Sequence, residues 1–208
     1  MAKKNISPTR VMLSNVRIDY EHIWTARPVN DSEPKYSLTA IISKEDSDLI
    51  KKIGDAIEVA VAMGAKKWGG KVPDNLKMPV HDGDSEHPDD EAFANAFYVN
   101  AYSEDRPQIV DRRVNPIDDP MDVYSGCYCN VMVTFFAYNV EDRQGIGAAL
   151  GNIQKVTDGE RLTHQTNAED DFDPLDDDEA EEDVTDAGKT AKGSGGALAR
   201  KEDLPDYM

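Results

Sequence analysis

Between residues 9 and 18 the chain alternates, Val11 and Leu13 against Met12 and Ser14, then Val16 and Ile18 against Asn15 and Arg17. A period of two predicts a strand, and the phase change at Ser14–Asn15 predicts a bulge. Residues 35–42 predict a second strand, with Tyr36, Leu38, Ala40 and Ile42 on one face and Ser37, Thr39 and Ile41 on the other. The period then lengthens. Leu49, Ile50, Ile53, Ile57, Ala60, Val61 and Gly64 recur at helical spacing, with Lys51, Lys52, Asp55 and Glu58 outside. Ser43 with Asp46 matches a capping pattern at the start, and Gly64 or Gly69–Gly70 is the expected end.

Residues 65–92 carry no clear period and predict a loop. Residues 93–102 and 108–111 predict strands separated by a turn at Arg106–Pro107. The strongest β signal is 123–140, where Cys127, Cys129, Val131, Val133, Phe135 and Ala137 share one face, and Tyr128, Asn130, Met132, Thr134, Phe136 and Tyr138 the other. Residues 146–156 can pair back as a last strand after the turn EDRQG. The order β-β-α-β-β-β lacks the alternating helices of a parallel α/β sheet and predicts a mainly β domain, a small bent sheet or barrel with one amphipathic helix after the second strand. From Asn167 the periodicity disappears, and acids followed by GKTAKGSGG read as a disordered tail. The expected division is 1–167 for the domain and 168–208 for the tail.

Charge sharpens that division. The 208 residues have a formal net charge of −18. Residues 169–208 hold 15 acids and 4 bases, and residues 81–91 hold six acids with no Lys or Arg. The rest of the body has 20 acids against 19 bases, so the domain itself is almost neutral. No run of apolar residues is long enough to span a membrane. The start, MAKKNISPTR, has no apolar stretch behind its basic residues, so no secretory signal is expected. Cys127 and Cys129, two apart on a strand, predict reduced cysteines, at least one buried, in a cytosolic protein.

Little in the chain suggests catalysis. The acidic loop fails as a calcium loop, because the sixth and twelfth positions from Asp82 are His87 and Phe93. The four histidines show no zinc spacing with the cysteines, and no nucleophile elbow or phosphate-cradling loop is present. GIGAALG (145–151) follows a β-turn and reads as small residues in a curved strand. No metal and no cofactor are expected. Basic residues and aromatic rings are more informative. Arg17 lies in an acid-free start; Lys66, Lys67 and Lys71 flank Trp68 in an acid-free stretch whose Gly/Lys loop cannot easily bury the ring. Arg106, Arg112 and Arg113 surround a turn, Tyr98 and Tyr102 share a strand face, and Tyr128 and Tyr138 share another. Cations for phosphates and rings for bases are the mixture a single-strand binder needs. These twelve residues are the candidate DNA contacts.

The segments DGD (82–84), FYVNAYSEDRPQIVD (97–111), YSGCYCNVMVTFFAYN (124–139) and GIGAALGNIQKVTDGERL (145–162) follow one another over roughly residues 8–165. In this order the chain resembles the phage-encoded single-stranded-DNA-binding proteins with an OB-fold core and an acidic C-terminal tail. The resemblance implies an OB-type five-stranded barrel that binds ssDNA without sequence preference. It further implies a role in phage replication or recombination within the cytoplasm of the bacterial host, and no enzymatic activity. The ending ARKEDLPDYM sets acids beside an aromatic residue. By the same resemblance, Asp203, Leu204, Asp206 and Tyr207 would dock replication or recombination proteins, and the tail would compete with DNA for the basic groove. Self-association is left open. Two rival readings are an acidic DNA mimic that blocks a host DNA-binding factor and a metal-dependent nuclease using Asp82, Asp84, Glu86 and Asp89.

Overall fold

The computed structural model describes residues 7–28, 33–140 and 143–162. The tail, with Asp203, Leu204, Asp206 and Tyr207, and the expected boundary at 167/168 lie outside these residues.

Seven strands, β1 (Arg10–Arg27), β2 (Lys35–Ser43), β3 (Val80–Asp82), β4 (Ala96–Ser103), β5 (Ile109–Val110), β6 (Tyr128–Val140) and β7 (Arg143–Thr157), form one sheet in the order β3-β4-β2-β1-β6-β7-β5. A parallel pairing of Tyr102 with Ala149 joins β4 to β7. That contact closes β1, β2, β4, β6 and β7 into a five-stranded barrel, so the core strands have no open edge to the outside. β3 and β5 are short additions on its rim.

The alternation in the chain decides which side chains fill the barrel. Val11, Leu13, Val16 and Ile18 of β1, Leu38, Ala40 and Ile42 of β2, and Cys129, Val131, Val133, Phe135 and Ala137 of β6 are all buried in one core. The inward phase of β1 survives the break because Asn15 takes a positive φ of 51° and the register against β6 shifts between Leu13 and Val16. The strand then continues to Arg27, well past the expected end at residue 18. A second irregularity explains the hidden half. Tyr20 has φ 44°, and the register against β2 shifts between Asp19 and His22, so the alternation is scrambled there.

Helix α1 (Ser47–Gly64) buries Leu49, Ile53, Ala56, Ile57, Ala60 and Gly64 against β6 and β1. Its cap corrects the expectation. Asp46, not Ser43, is the N-cap, and its carboxylate accepts the Leu49 N–H at 3.0 Å. Ser43 instead ends β2, and its hydroxyl accepts the Glu45 N–H at 3.2 Å. The strand expected over 123–140 begins at Tyr128, and the buried Cys127 lies in the preceding turn, where its N–H bonds to the Tyr124 carbonyl. Both cysteines are buried and unbridged, and burial pushes the Cys129 thiol up to about 12. Such a thiol is a packing group rather than a nucleophile.

Candidate functional site

The outer face of β7 is built from small residues. Gly145, Gly147 and Ala149 stand opposite Tyr138, Phe136 and Thr134 of β6, and Ala149 also meets Tyr102 of β4. A Cβ on Gly147 would lie 2.8 Å from Cζ of Phe136, and one on Gly145 would lie 2.7 Å from the Tyr138 hydroxyl. The two rings therefore lie over β7 because the glycines leave them room. The result is a shallow trough lined by aromatic rings. It opens into a groove of about 1070 Å³, bordered by Lys77, Met78, Pro79 and His81 on one wall and by Tyr102, Phe136 and Tyr138 on the others. Lys77 is fixed there by main-chain bonds, its N–H to Gln144 and its carbonyl from Ile146.

At Asn100 and Tyr102 this groove meets a second cavity of about 280 Å³, over the outer face of β1 and β2. Tyr20, His22, Thr39 and Tyr98 line it. Tyr20, Tyr102 and Phe136 are 43%, 38% and 44% exposed, and large rings left in water inside a concavity suggest a ligand surface. For Tyr20 the backbone adds to the case, since a bulky residue at positive φ is a strained conformation of the kind concentrated at functional sites.

The far wall is a strap, residues 80–95, laid across β2 and β4. β3 pairs with Val99, Tyr98 and Phe97, and a short helix, α2 (Gly83–Glu86), follows it. Phe93 closes the strap over Ile41, Ala96 and Tyr98 in a small second core. The carboxylates of the acidic segment hold the strap in place. Lys44 Nζ donates to Asp82 Oδ1 at 2.7 Å and to Asp84 Oδ2 at 2.6 Å, and the Asn95 N–H donates to Asp84 Oδ1 at 2.8 Å. The Tyr98 hydroxyl donates to Glu86 Oε2 at 2.8 Å, and His81 Nδ1 lies 2.9 Å from Glu86 Oε1. The Lys44 ammonium, then the Asn95 N–H, hold Asp84 below its ordinary value. The Tyr98 hydroxyl, then His81, do the same for Glu86. Burial, then the bond to Glu86, pushes Tyr98 up to about 12, so it stays a neutral donor at neutral pH. The 65–92 stretch, expected to be a loop, thus contains ordered elements. Asp82 and Asp84 converge on the Lys44 ammonium while Glu86 faces His81 and Tyr98, and among the described residues no three His, Cys, Asp or Glu side chains group to hold a metal ion.

The structure brings Tyr98, Tyr102 and Tyr138 to the groove, with Tyr98 mostly as a wall, since only 5% of it is exposed. Trp68 corrects the expectation of an exposed ring. It is 8% exposed, belongs to the main core, and donates Nε1–H to the Tyr138 carbonyl at 2.9 Å. Lys67 Nζ donates to the Ala137 carbonyl at 2.9 Å. Together they bond main-chain carbonyls near the end of β6, past the last residue that pairs with β1. Lys66 and Lys71 remain exposed in the same turn, which docks beside Tyr138. Arg17 and Tyr128 pair with each other at the opposite end of β6, and an Arg17 guanidinium nitrogen donates to the Glu160 carbonyl at 2.9 Å. The Arg106 guanidinium sits 5.4 Å from the Trp24 ring centre. Arg112 and Arg113 project from a turn held by Asp111, beyond β5. These five lie off the groove lining.

Sequence reasoning missed Tyr20, Phe136, Lys35, Lys77 and Asn100. Phe136 carried a signal, its place beside Tyr138 on the polar face of β6 and opposite the alternating small residues of GIGAALG. Lys77 carried none, because its position depends on a loop docking against β7. Lys35 lies 3.5 Å from Glu104 across the groove mouth. With Glu86, Glu104 and Asp105 also on the lining, aromatic surface rather than positive charge dominates the groove.

Comparison with known proteins places this architecture. A family model described as "Enterobacter phage Enc34, ssDNA-binding protein" matches residues 9–185, some twenty residues beyond the expected limit and into the acidic stretch. "Putative protein p50" of Acyrthosiphon pisum secondary endosymbiont phage 1 is 29% identical over 165 residues, covering 74% of this chain and 86% of that one. The structure of the single-stranded DNA-binding protein from bacteriophage Enc34 in complex with ssDNA is similar, with TM-score 0.67 and 24% identity over 76% of this chain and 91% of that one. Gp2.5, a single-stranded DNA binding protein encoded by bacteriophage T7, shares the fold more distantly, with TM-score 0.50 and 15% identity over 88% and 98%. The barrel is thus an OB fold of the kind these proteins have.

Proposed function

The chain belongs to this family of phage single-stranded-DNA-binding proteins, and from that membership we propose that it binds ssDNA along the groove from Tyr20 past Tyr102 to Phe136 and Tyr138. The observation that carries the reading is the trough. Gly145 and Gly147 let the Tyr138 and Phe136 rings lie over β7, and Tyr102 and Phe136 offer half-exposed rings to the groove. Base–aromatic stacking contributes about 1–3 kcal/mol per base and tolerates any sequence. Lys35 and Lys77 supply phosphate contacts at the rim, and Lys66 and Lys71 extend them past Tyr138. Arg17, Arg106, Arg112, Arg113 and Tyr128 would contact DNA only where it continues beyond the groove.

The protein acts in this reading as a binder rather than an enzyme, in the replication or recombination of phage DNA. The domain of residues 1–167 holds the strand. The tail of residues 168–208, with 15 acids, competes with DNA for the same cations. Displaced by DNA, it presents Asp203, Leu204, Asp206 and Tyr207 to replication or recombination proteins. Titration of labelled oligo-dT with the full chain and with a chain ending at Asn167, at several salt concentrations, tests both parts. Binding should weaken with salt, by about −0.7 in log–log slope per phosphate neutralised, and the shorter chain should bind more tightly. Absence of binding by either chain at low salt defeats the DNA reading, and equal affinities defeat the competition.

A further inference from the structure

The groove is poor in fixed positive charge. Its larger cavity carries Lys35 and Lys77 against Glu86, Glu104 and Asp105. No Lys, Arg, Asp or Glu lines the smaller one. Three of the four histidines of the chain stand on these walls, His81 in the larger cavity and His22 and His87 in the smaller. The fourth, His164, lies outside the described residues. His81 stacks on the Tyr98 ring at 4.9 Å, and His87 meets Tyr98 edge-on at 5.2 Å and stacks on Phe93 at 4.3 Å. His22 lies opposite Ser37 of β2. Glu86, held below its ordinary value, is a carboxylate that can only accept, so His81 donates to it through Nδ1, and Nε2 is the nitrogen left to take up a further proton. The charged groups nearest the rings are mostly acidic. Glu86 is close to both His81 and His87. Asp19 and Asp90 are close to Tyr20, which shares the smaller cavity with His22, His87, Tyr98 and Tyr102. His81 shares the larger cavity with the two lysines, Glu104 and Asp105.

We infer that ssDNA binding takes up protons at His22, His81 and His87, whose imidazolium groups then serve as phosphate contacts of the groove. The inference rests on the DNA-binding reading above and makes that binding proton-linked. Imidazole is the side chain that changes charge between about pH 5 and 8. A phosphodiester laid beside it favours the charged ring, so each histidine titrates at a higher pH in the complex than in the free protein. The affinity gained in this way is complete below the free value and is lost as pH rises through the bound one. With the rings neutral, two lysines face three carboxylates on the groove walls; with all three rings charged, cations outnumber carboxylates by two. The range lies above the pH of about 4 at which carboxylates titrate, so it is separate from any loosening of the strap.

The test is titration of the full chain with labelled oligo-dT at about pH 6 and about pH 8, at fixed ionic strength, where imidazole changes charge and neither thymine nor the phosphodiester does. One solvent-exposed ion pair corresponds to about a 1.5- to fivefold change in affinity, so three should make binding at the lower pH at least about threefold tighter. The salt slope should also steepen there, by about 0.7 for each histidine that meets a phosphate. The triple variant His22→Gln/His81→Gln/His87→Gln should lose the ratio of the two affinities, each single substitution should lose part of it, and His164→Gln should keep it. A ratio near one in the parent chain overturns the inference, as does a ratio that survives in the triple variant or disappears with His164→Gln. A parent chain that binds at neither pH overturns the DNA-binding reading itself. Unchanged near-ultraviolet circular dichroism guards against misfolding, and the single substitutions carry the test if the triple variant fails to fold.

Discussion

Gly147 and Gly126 look alike in the sequence and differ in what surrounds them. A Cβ at Gly147 meets the tip of the Phe136 ring at 2.8 Å, and that ring is at the surface and can swing aside. At Gly126 the φ is 111°, and a Cβ would press on the Glu160 carbonyl carbon at 2.9 Å, which is main chain. Gly147→Val is therefore expected to leave the urea midpoint almost unchanged while cutting oligo-dT affinity, because the displaced ring closes the trough. Gly126→Val combines a strained φ with a backbone clash and should cost about 1–3 kcal/mol or more in the same urea titration. Trp68 belongs to a third class. Trp68→Ala removes a core ring and should cost about 3–5 kcal/mol, a loss of stability that a surface stacking residue would not produce.

At the scale of elements, the strap over β2 and β4 is the part whose attachment is electrostatic. Asp84 and Glu86 have folded-state values below the ordinary ones, through Lys44 and the Asn95 N–H for the first and Tyr98 and His81 for the second. A depressed carboxylate contributes stability that is complete above its unfolded value, about 4, and is lost as pH falls through the lower folded value. The strap should accordingly hold at neutral pH and loosen in acid below about pH 4. Hydrogen exchange of those amides among residues 97–99 of β4 that face β3 should accelerate there before that of Val131 and Val133 in the core. Lys44→Met should move the onset to higher pH, and simultaneous exchange of both regions would contradict a separately held strap. The sequence made the two-period and helical segments legible, since burial alone fixes which faces turn inward. It hid the strap, because a three-residue strand and a four-residue helix are too short for any period. It also hid the second half of β1, where the positive φ of Tyr20 breaks the alternation. Of the site, Tyr98, Tyr102 and Tyr138 were legible as aromatic positions on outward strand faces. Trp68 misled because a ring amid Gly and Lys looks exposed, yet the fold draws it inward to cap the Tyr138 carbonyl.

For the whole molecule, the net charge of −18 and a DNA-binding role are compatible because the charge is segregated. The tail carries most of it, and the acids of residues 82–86 hold a wall of the groove rather than repel a ligand from its floor. What remains for the ligand is largely apolar, so binding should be dominated by stacking with a modest electrostatic contribution. The most direct test is a fluorescence titration of the full chain with oligo-dT, comparing the parent with Tyr102→Ala/Phe136→Ala at fixed low salt. Both rings are surface-exposed, so the variant should fold. With about 1–3 kcal/mol per stacked base, its affinity should fall by at least about tenfold, with the salt slope unchanged. Affinity equal to that of the parent chain would contradict the assignment of the groove.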